Sequence, residues 1–350
     1  MTNKGIILSA SAIIIILVIA GSLLLTPRSL GVTTPTYNDI ASYDFIQSGS
    51  TYAIQFDGAV LFSGTNATAV LQSALNVAPP LGEDIHVWAG TYNITNTINI
   101  NNAFVELYGD GRGTTTFVLA NDSNCNMFYV APNATMFTLR DMELNGSMVS
   151  GPNYTPKNSN SIGIGVYINQ TTDVQIDSCY IWNFPSSDVF VSAGWGTLIT
   201  NSYIEGSGEN GLALIGSYAS LIQGNTFNWN LANGVILLGQ RGTILSGNTI
   251  YANSQDGVLL DGNSQNTAIS SNWINDNGIG ANNTYDGIHG NGASFCSITG
   301  NIIDAKSYSV VGEPLSMMER SAIYLDSASS NNTVTGNICQ NSIGPEIVGD

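Results

Sequence analysis

Charge is scarce in this chain. Asp, Glu, Lys and Arg make up 9 % of its 350 residues, and only eight of these are basic. Eight scattered cations form no positive stripe, which excludes a binder of nucleic-acid phosphate backbones. The formal net charge of −17 instead gives a solvated acidic surface, one that attracts Ca²⁺ or basic partners. Cysteine is also sparse: Cys125, Cys179, Cys296 and Cys339 show neither CxxC nor zinc-like spacing. They read as buried free thiols ahead of disulfides, and nothing in the sequence pairs them. The Gly-rich run LYGDGRGTTTF (107–117) has no Gly-Lys-Ser/Thr and no helical pattern after it, so it is a turn and not a phosphate cradle.

What the chain does have is repetition. IGVYIN (164–169), SDVFVS (187–192), NGLALI (210–215), NGVILL (233–238) and DGVLLD (256–261) follow one another at steps of 23 residues. In the same register come DSCYI (177–181), TNSYI (200–204), QGNTF (223–227), SGNTI (246–250), SSNWI (270–274), TGNII (299–303) and TGNIC (335–339). Alternation such as Val235/Leu237 and Val258/Leu260 has period two, which marks strands. A unit this short cannot bury its own apolar face, so the units must stack as coils of a solenoid. Stacking at ~4.8 Å per coil puts Asn225, Asn248, Asn272, Asn301 and Asn337 in one column. These are expected to form an amide ladder whose Asn residues adopt a left-handed backbone, with Ser202 and Cys179 in the same slot further up.

From about Ser42 onward the repeats resemble the right-handed parallel β-helix proteins of the pectate lyase and polygalacturonase superfamily. The resemblance implies an all-β, single-stranded, right-handed parallel β-helix of about ten coils with an N-terminal capping helix. That helix is read at GTNATAVLQSALNVA (64–78), with Val70, Leu71, Ala74 and Leu75 on one face and Thr65 or Asn66 as its cap. His86 is read as an ordinary strand position. Ahead of the β-helix, residues 5–25 run 21 positions without a charge, long enough to cross a membrane as a helix. The division is 1–4 cytoplasmic, 5–25 transmembrane anchor or signal segment, 26–41 linker, 42–84 N-terminal strands and helix, and 85–350 β-helix. The expectation is a single-pass protein with its C-terminal domain outside the cell, or a secreted one if the segment is cleaved. Glycosylation sequons stand at Asn66, Asn93, Asn121, Asn133, Asn145, Asn153, Asn169, Asn282 and Asn331. The final rung, before GPEIVGD, carries no cap, and is read either as a chain cut short or as an end that another copy covers.

Two steps exceed 23 residues, 257 to 287 and 287 to 322, because of the insertions 276–285 and 305–320. On the adjoining strands the outward rows read Phe190, Ala213, Ile236, Leu259, His289, Tyr324 and Ser192, Ile215, Leu238, Asp261, Asn291, Asp326. Both turn from apolar to polar beside the insertions, and the apolar part is expected to need a cover. Asp261, His289, Asp326 and Arg320 are therefore the catalytic candidates, with Asn291, Tyr324, Asp256, Asp286 and Glu319 as substrate contacts. Asp261 and Asp326 should lie two coils apart, ~9.6 Å, at the edge of the spacing used by inverting glycosidases. Asp256 and Asp286 should be ~4.8 Å neighbours, near enough for one to resist ionising. They also fill the turn slot held by Asn210 and Asn233 in earlier coils. Of the polygalacturonase motifs Asn-Thr-Asp, Asp-Asp, Gly-His-Gly and Arg-Ile-Lys, this chain matches one Asp per coil (Asp256, Asp286) and the His289-Gly290 pair. The Asp-Asp and Arg-Ile-Lys signatures are absent, and Arg320 stands alone. Resemblance to pectate lyases implies Ca²⁺ held by acids with a basic proton acceptor, for which Asp261, Asp326 and Arg320 are the matching types. The expected function is binding of a polysaccharide, with cleavage by a lyase- or hydrolase-like reaction. A non-catalytic surface or adhesion protein is the alternative.

Overall fold

The computed structural model describes residues 41–77, 82–121, 123–148, 163–305 and 319–349. Residues 5–25 lie outside these, and among the described residues no helix is long and apolar enough to cross a membrane. The chain opens with three strands, β1 (Ala41–Ser48), β2 (Thr51–Phe56) and β3 (Ala59–Gly64), which form an antiparallel run. Helix α1 (Ala67–Leu75) follows; the side chain of its N-cap residue, Asn66, accepts from Ala69 N at 3.0 Å. It buries Ala67, Val70, Leu71, Ala74 and Leu75 against β2, β3 and the strands Gly90–Ile94 and Ile98–Ile100.

Every later coil contributes three short strands, one to each of three sheets. The first sheet has 13 strands, counting β1 to β3, and the other two have ten each. Within a representative coil these are Leu221–Gln223, Thr226–Asn228 and Val235–Leu238. Parallel pairing joins each strand to its equivalents one coil above and below, without register shifts. Period-two alternation then sends one column of each sheet inward. Ile199, Ile222, Leu245, Ile269 and Ile298 stack in the first sheet, and Ile204, Phe227, Ile250, Ile274 and Ile303 in the second. All ten are fully buried, each contributing about 1.5–3 kcal/mol of apolar transfer energy.

Polar ladders fix the corners between the sheets. In the first, Asn225 N and Nδ2 donate to Asn248 Oδ1 at 2.9 and 3.1 Å. The pattern repeats from Asn248 to Asn272, from Asn272 to Asn301 and from Asn301 to Asn337. Ser202 and Cys179 continue it upward as expected. One detail differs from the sequence expectation: the left-handed residue is the one before each Asn, at Gly224, Gly247, Ser271, Gly300 and Gly336. The Asn itself keeps an ordinary backbone so that its amide can turn inward and bond the next coil. A second ladder runs Ser207, Asn230, Asn253, Asn277, and a third runs Asn210, Asn233, Asp256, Asp286.

One buried group makes the stability depend on pH. Glu83 is fully buried and neither carboxyl oxygen has a hydrogen-bond partner. Burial, and secondarily the charge of Asp84, push its pKa up to about 8. Because the folded value is raised, the associated stability is complete below the unfolded pKa and disappears as pH rises through about 8. Glu83→Gln is expected to flatten the fall in stability between the unfolded value of 4.5 and about pH 8, an effect on the order of 4–5 kcal/mol across that range and read as melting temperature against pH.

Candidate functional site

The third ladder delivers the reactive groups. Its first rungs are amides, Asn210 and Asn233, and its next are the carboxylates Asp256 and Asp286, at the corner leading into the third sheet. Asp256 Oδ1 accepts from Asp286 N at 2.7 Å, and Asp286 Oδ1 accepts from Ser321 N at 3.0 Å. Gly257 and Gly287 follow directly; a Cβ at Gly257 would lie 2.6 Å from Gly287 O and one at Gly287 2.7 Å from Ala322 O. Only glycine lets the coils close here.

Three residues after Asp286, the alternation of Ile288–Gly290 turns His289 outward. It pairs in register with Leu259 below and Tyr324 above. His289 Nδ1 lies 3.3 Å from Asp256 Oδ2 and 3.7 Å from Asp286 Oδ2. Arg320 grips Asp286 with two bonds, Nε to Oδ1 at 3.1 Å and Nη2 to Oδ2 at 2.5 Å. Its guanidinium lies 3.9 Å over the Tyr324 ring, which meets the imidazole edge-on at 5.3 Å between centroids. Both carboxylates are buried, while His289 and Arg320 keep 25 % and 33 % of their side chains exposed. The accessible groups are therefore the imidazole and the guanidinium, with the acids behind them.

Electrostatics follow from this layering. Burial works against a charged imidazole, but the Asp256 hydrogen bond and the charges of Asp256 and Asp286 outweigh it, so the His289 pKa is raised despite Arg320. Burial likewise raises the Asp286 carboxyl, helped by Asp256 and opposed by Arg320.

Residues 164–339, just over half of the chain, match the family model described as the right handed beta helix region. The chain belongs to this right-handed β-helix family. No curated protein sequence matches it. Among solved structures, it is similar to the enzymatically active domain of the bacteriophage CBA120 tailspike protein 2 (TM-score 0.58, 16 % identity), covering 79 % of this chain and 46 % of that one. An alginate lyase from a Paenibacillus species aligns with TM-score 0.56 and 16 % identity over 81 % of this chain and 96 % of that one. The A-module of a mannuronan C-5 epimerase of Azotobacter vinelandii aligns with TM-score 0.50 and 14 % identity over 81 % and 94 %. The chain thus spans less than half of the tailspike domain, and identities this low show a shared fold.

Within this β-helix the sequence candidates fall into two groups. Asp256, Asp286, His289, Arg320 and Tyr324 converge. Asp261, Asn291 and Asp326 sit at the other end of the same strands, where Asn291 Nδ2 donates to Asp261 Oδ1 at 2.9 Å. Asp326 is not free to act as an acid: its Oδ1 accepts from Gly292 N, Ser329 N and Ser329 Oγ. Although burial opposes it, those bonds lower its pKa, which works against Asp326 as the protonated acid of a glycoside hydrolysis. A shallow depression of about 440 Å³ connects Tyr324 to Asp326 and Ser329. Glu319 is a correction. It is fully buried, and its Oε1 accepts from Asn277 N at 3.0 Å, closing the second ladder inside the wall and away from any substrate. In the insertion 276–285, Gly278 N and Gly280 N bond back to Gln255 O and Ser254 O. It folds onto the preceding coil at the corner beside His289. Most of 305–320 lies outside the described residues.

Asp256, Asp286 and His289 are close enough to share a cation, but the donor set does not suit Ca²⁺, which takes six to eight oxygens. Both Oδ1 atoms are committed to backbone N–H groups, and Arg320 already occupies Asp286 and offsets one of the two carboxylate charges. What sequence reasoning underrated was the change from Asn to Asp in the ladder. A carboxylate cannot donate to the next rung as an amide does, and it occurs only where a histidine and an arginine arrive to use it. His86 is also more than a strand position: it lies between Asp44 (3.4 Å) and Asp110 (2.8 Å) and stacks on Tyr108.

Proposed function

We propose that the outer face of the third sheet binds a polysaccharide and that His289 cleaves it by a lyase-type elimination. The observation that carries this reading is the buried Asp256 behind a half-exposed imidazole, flanked by Arg320 and Tyr324. Elimination needs one base at a carbon acid and one proton donor at the leaving oxygen, and it does not need two exposed carboxyls. Neutral His289 takes the proton from C5 of a uronate residue. The C–H electron pair becomes the C4=C5 double bond, and the glycosidic oxygen leaves with its own pair and is protonated by the Tyr324 hydroxyl. Arg320 commits Nε and Nη2 to Asp286, which leaves Nη1 for the substrate carboxylate. Two of the similar structures, an alginate lyase and a mannuronan C-5 epimerase, agree with a sugar polymer as ligand.

Residues 5–25 are read as the anchor that holds this domain at the outer face of a membrane, supported by their length and freedom from charge. Detergent-dependent extraction of the full chain, and release of the soluble domain by cleavage in 26–41, test that placement.

The pH dependence is specific. Only the neutral imidazole is a base, and its pKa is raised, so kcat/KM should fall tenfold per unit on the acid side of a midpoint above the ordinary histidine value of about 6.5. Asp256→Asn should move that midpoint down, as read by initial rates of unsaturated-uronide formation. The half-buried apolar rows with Ile236, Leu238 and Leu259 on the same face favour a second reading, a non-catalytic adhesive surface. That reading predicts binding without turnover, unchanged in Asp256→Asn.

A further inference from the structure

The outer face of the second sheet carries a feature the His289 site does not use. One outward row reads Tyr180, Tyr203, Thr226, Thr249, Trp273, and the neighbouring row reads Trp182, Glu205, Asn228, Tyr251, Asn275. Five of these ten side chains are aromatic. Tyr203 and Trp273 are 47 % and 42 % exposed, which is unusual for rings at two ends of one flat strip. Tyr180 stacks on Trp182 at 5.3 Å, and Tyr251 leans on Trp273 at 6.2 Å, so the rings form two shoulders. The threonines 226 and 249 form a low floor between them.

The polar atoms of the strip point to a hydroxyl-rich occupant. Asn228 and Asn275 are 3 % and 5 % exposed although both sit on outward positions, and the Oδ1 of each lacks a hydrogen-bond partner. A buried acceptor without a donor costs free energy, which a ligand hydroxyl recovers once a turn of the side chain brings the amide to the surface. Several other groups are held in place: Trp182 Nε1 donates to Glu143 Oε1, Tyr180 Oη to Glu205 Oε2, and Asn228 Nδ2 to Tyr251 Oη. Arg112 lies 4.9 Å over the Tyr203 ring and fixes it. Preset rings give contact area at little entropic cost.

We propose that this strip is a second carbohydrate-binding surface, which takes a neutral glycan chain laid along the solenoid axis across Tyr203, Thr226, Thr249 and Trp273. Ring faces complement the C–H faces of pyranoses. The spacing suits a polymer, because Tyr203 and Trp273 are three coils apart, ~14 Å, which spans several sugar residues. Neutrality follows from the charges on the face: among the described residues Glu143, Glu205 and Asp304 stand against Arg112, so a polyanion is repelled. The surface is independent of the His289 site, around the corner formed by residues 276–287.

The test is titration of the full-length chain with cellohexaose, mannohexaose and chitohexaose, followed by tryptophan fluorescence and calorimetry, with oligogalacturonate as the anionic comparison. At least one neutral hexasaccharide should bind. Tyr203→Ala and Trp273→Ala should each weaken it about tenfold or more, Trp273→Tyr should restore most of the affinity, and His289→Gln should leave it unchanged. Melting curves of the variants show whether the fold persists; the conservative Trp273→Tyr keeps the test decisive if the alanine variant does not fold. Failure of all three neutral saccharides to bind overturns the proposal, as does binding indifferent to both rings or tighter binding of the anionic oligomer. A concentration-dependent dimer lost in the same variants, without saccharide binding, would overturn it in favour of a second copy of this chain.

Discussion

Replacing His289 by Gln is expected to lower the initial rate of polyuronate cleavage by about 10²–10⁴-fold while leaving the fold intact, the usual cost of losing a general base. Glutamine retains a polar side chain of similar reach but cannot accept and release a proton at neutral pH. The side chain is half-buried on an outward position, and its backbone pairing with Leu259 and Tyr324 does not depend on the imidazole. Melting temperature should therefore change little. Arg320→Lys discriminates further: one ammonium cannot reproduce the two-bond grip on Asp286, and the Tyr324 ring loses its stacked guanidinium. A KM increase larger than the kcat loss would assign Arg320 to substrate binding.

The second large effect is on stability. Asn248→Ala is expected to cost about 3–5 kcal/mol, because one side chain serves both neighbouring coils. Its Oδ1 accepts from Asn225 N and Nδ2, and its Nδ2 donates to Ile222 O and Asn272 Oδ1. Truncation orphans the buried Asn225 N–H and leaves a gap in a column with no water access, and urea titration would show a lower midpoint. Asn337→Ala, on a less buried rung, should cost markedly less. Equal costs at both rungs would contradict the ladder as a buried structural element.

The stacking was legible because the repeats are local copies of one another. A fixed step of 23 residues and period-two alternation determine which residues share a column: the observed pairing Ile236↔Leu259 follows from counting, and Leu259↔His289 from aligning the Asp-Gly pairs at 256–257 and 286–287 across the longer step. The site was legible only in part. Counting places His289 beside Tyr324, but it does not say which way a turn carboxylate points, and Asp256 read more readily as the companion of Asn233. Its second role depends on a contact between side chains 33 residues apart, set by rotamers and by the amide it replaced. Asp261 and Asp326 looked like a catalytic pair on spacing alone. The structure spends Asp326 on its own turn through Ser329, a local competition that outward-row counting cannot see. Glu319 misled for a related reason: a carboxylate at the end of a surface insertion reads as exposed, yet here it replaces the next ladder asparagine and is buried.

The most direct measurement is the titration of His289 by NMR in selectively labelled protein, where two histidines give two resolvable signals. The account predicts that the His289 signal titrates above the ordinary value of about 6.5, and that Asp256→Asn returns it toward that value. A His289 that titrates normally, or one indifferent to Asp256, would contradict the buried carboxylate–imidazole pair on which the proposed chemistry rests.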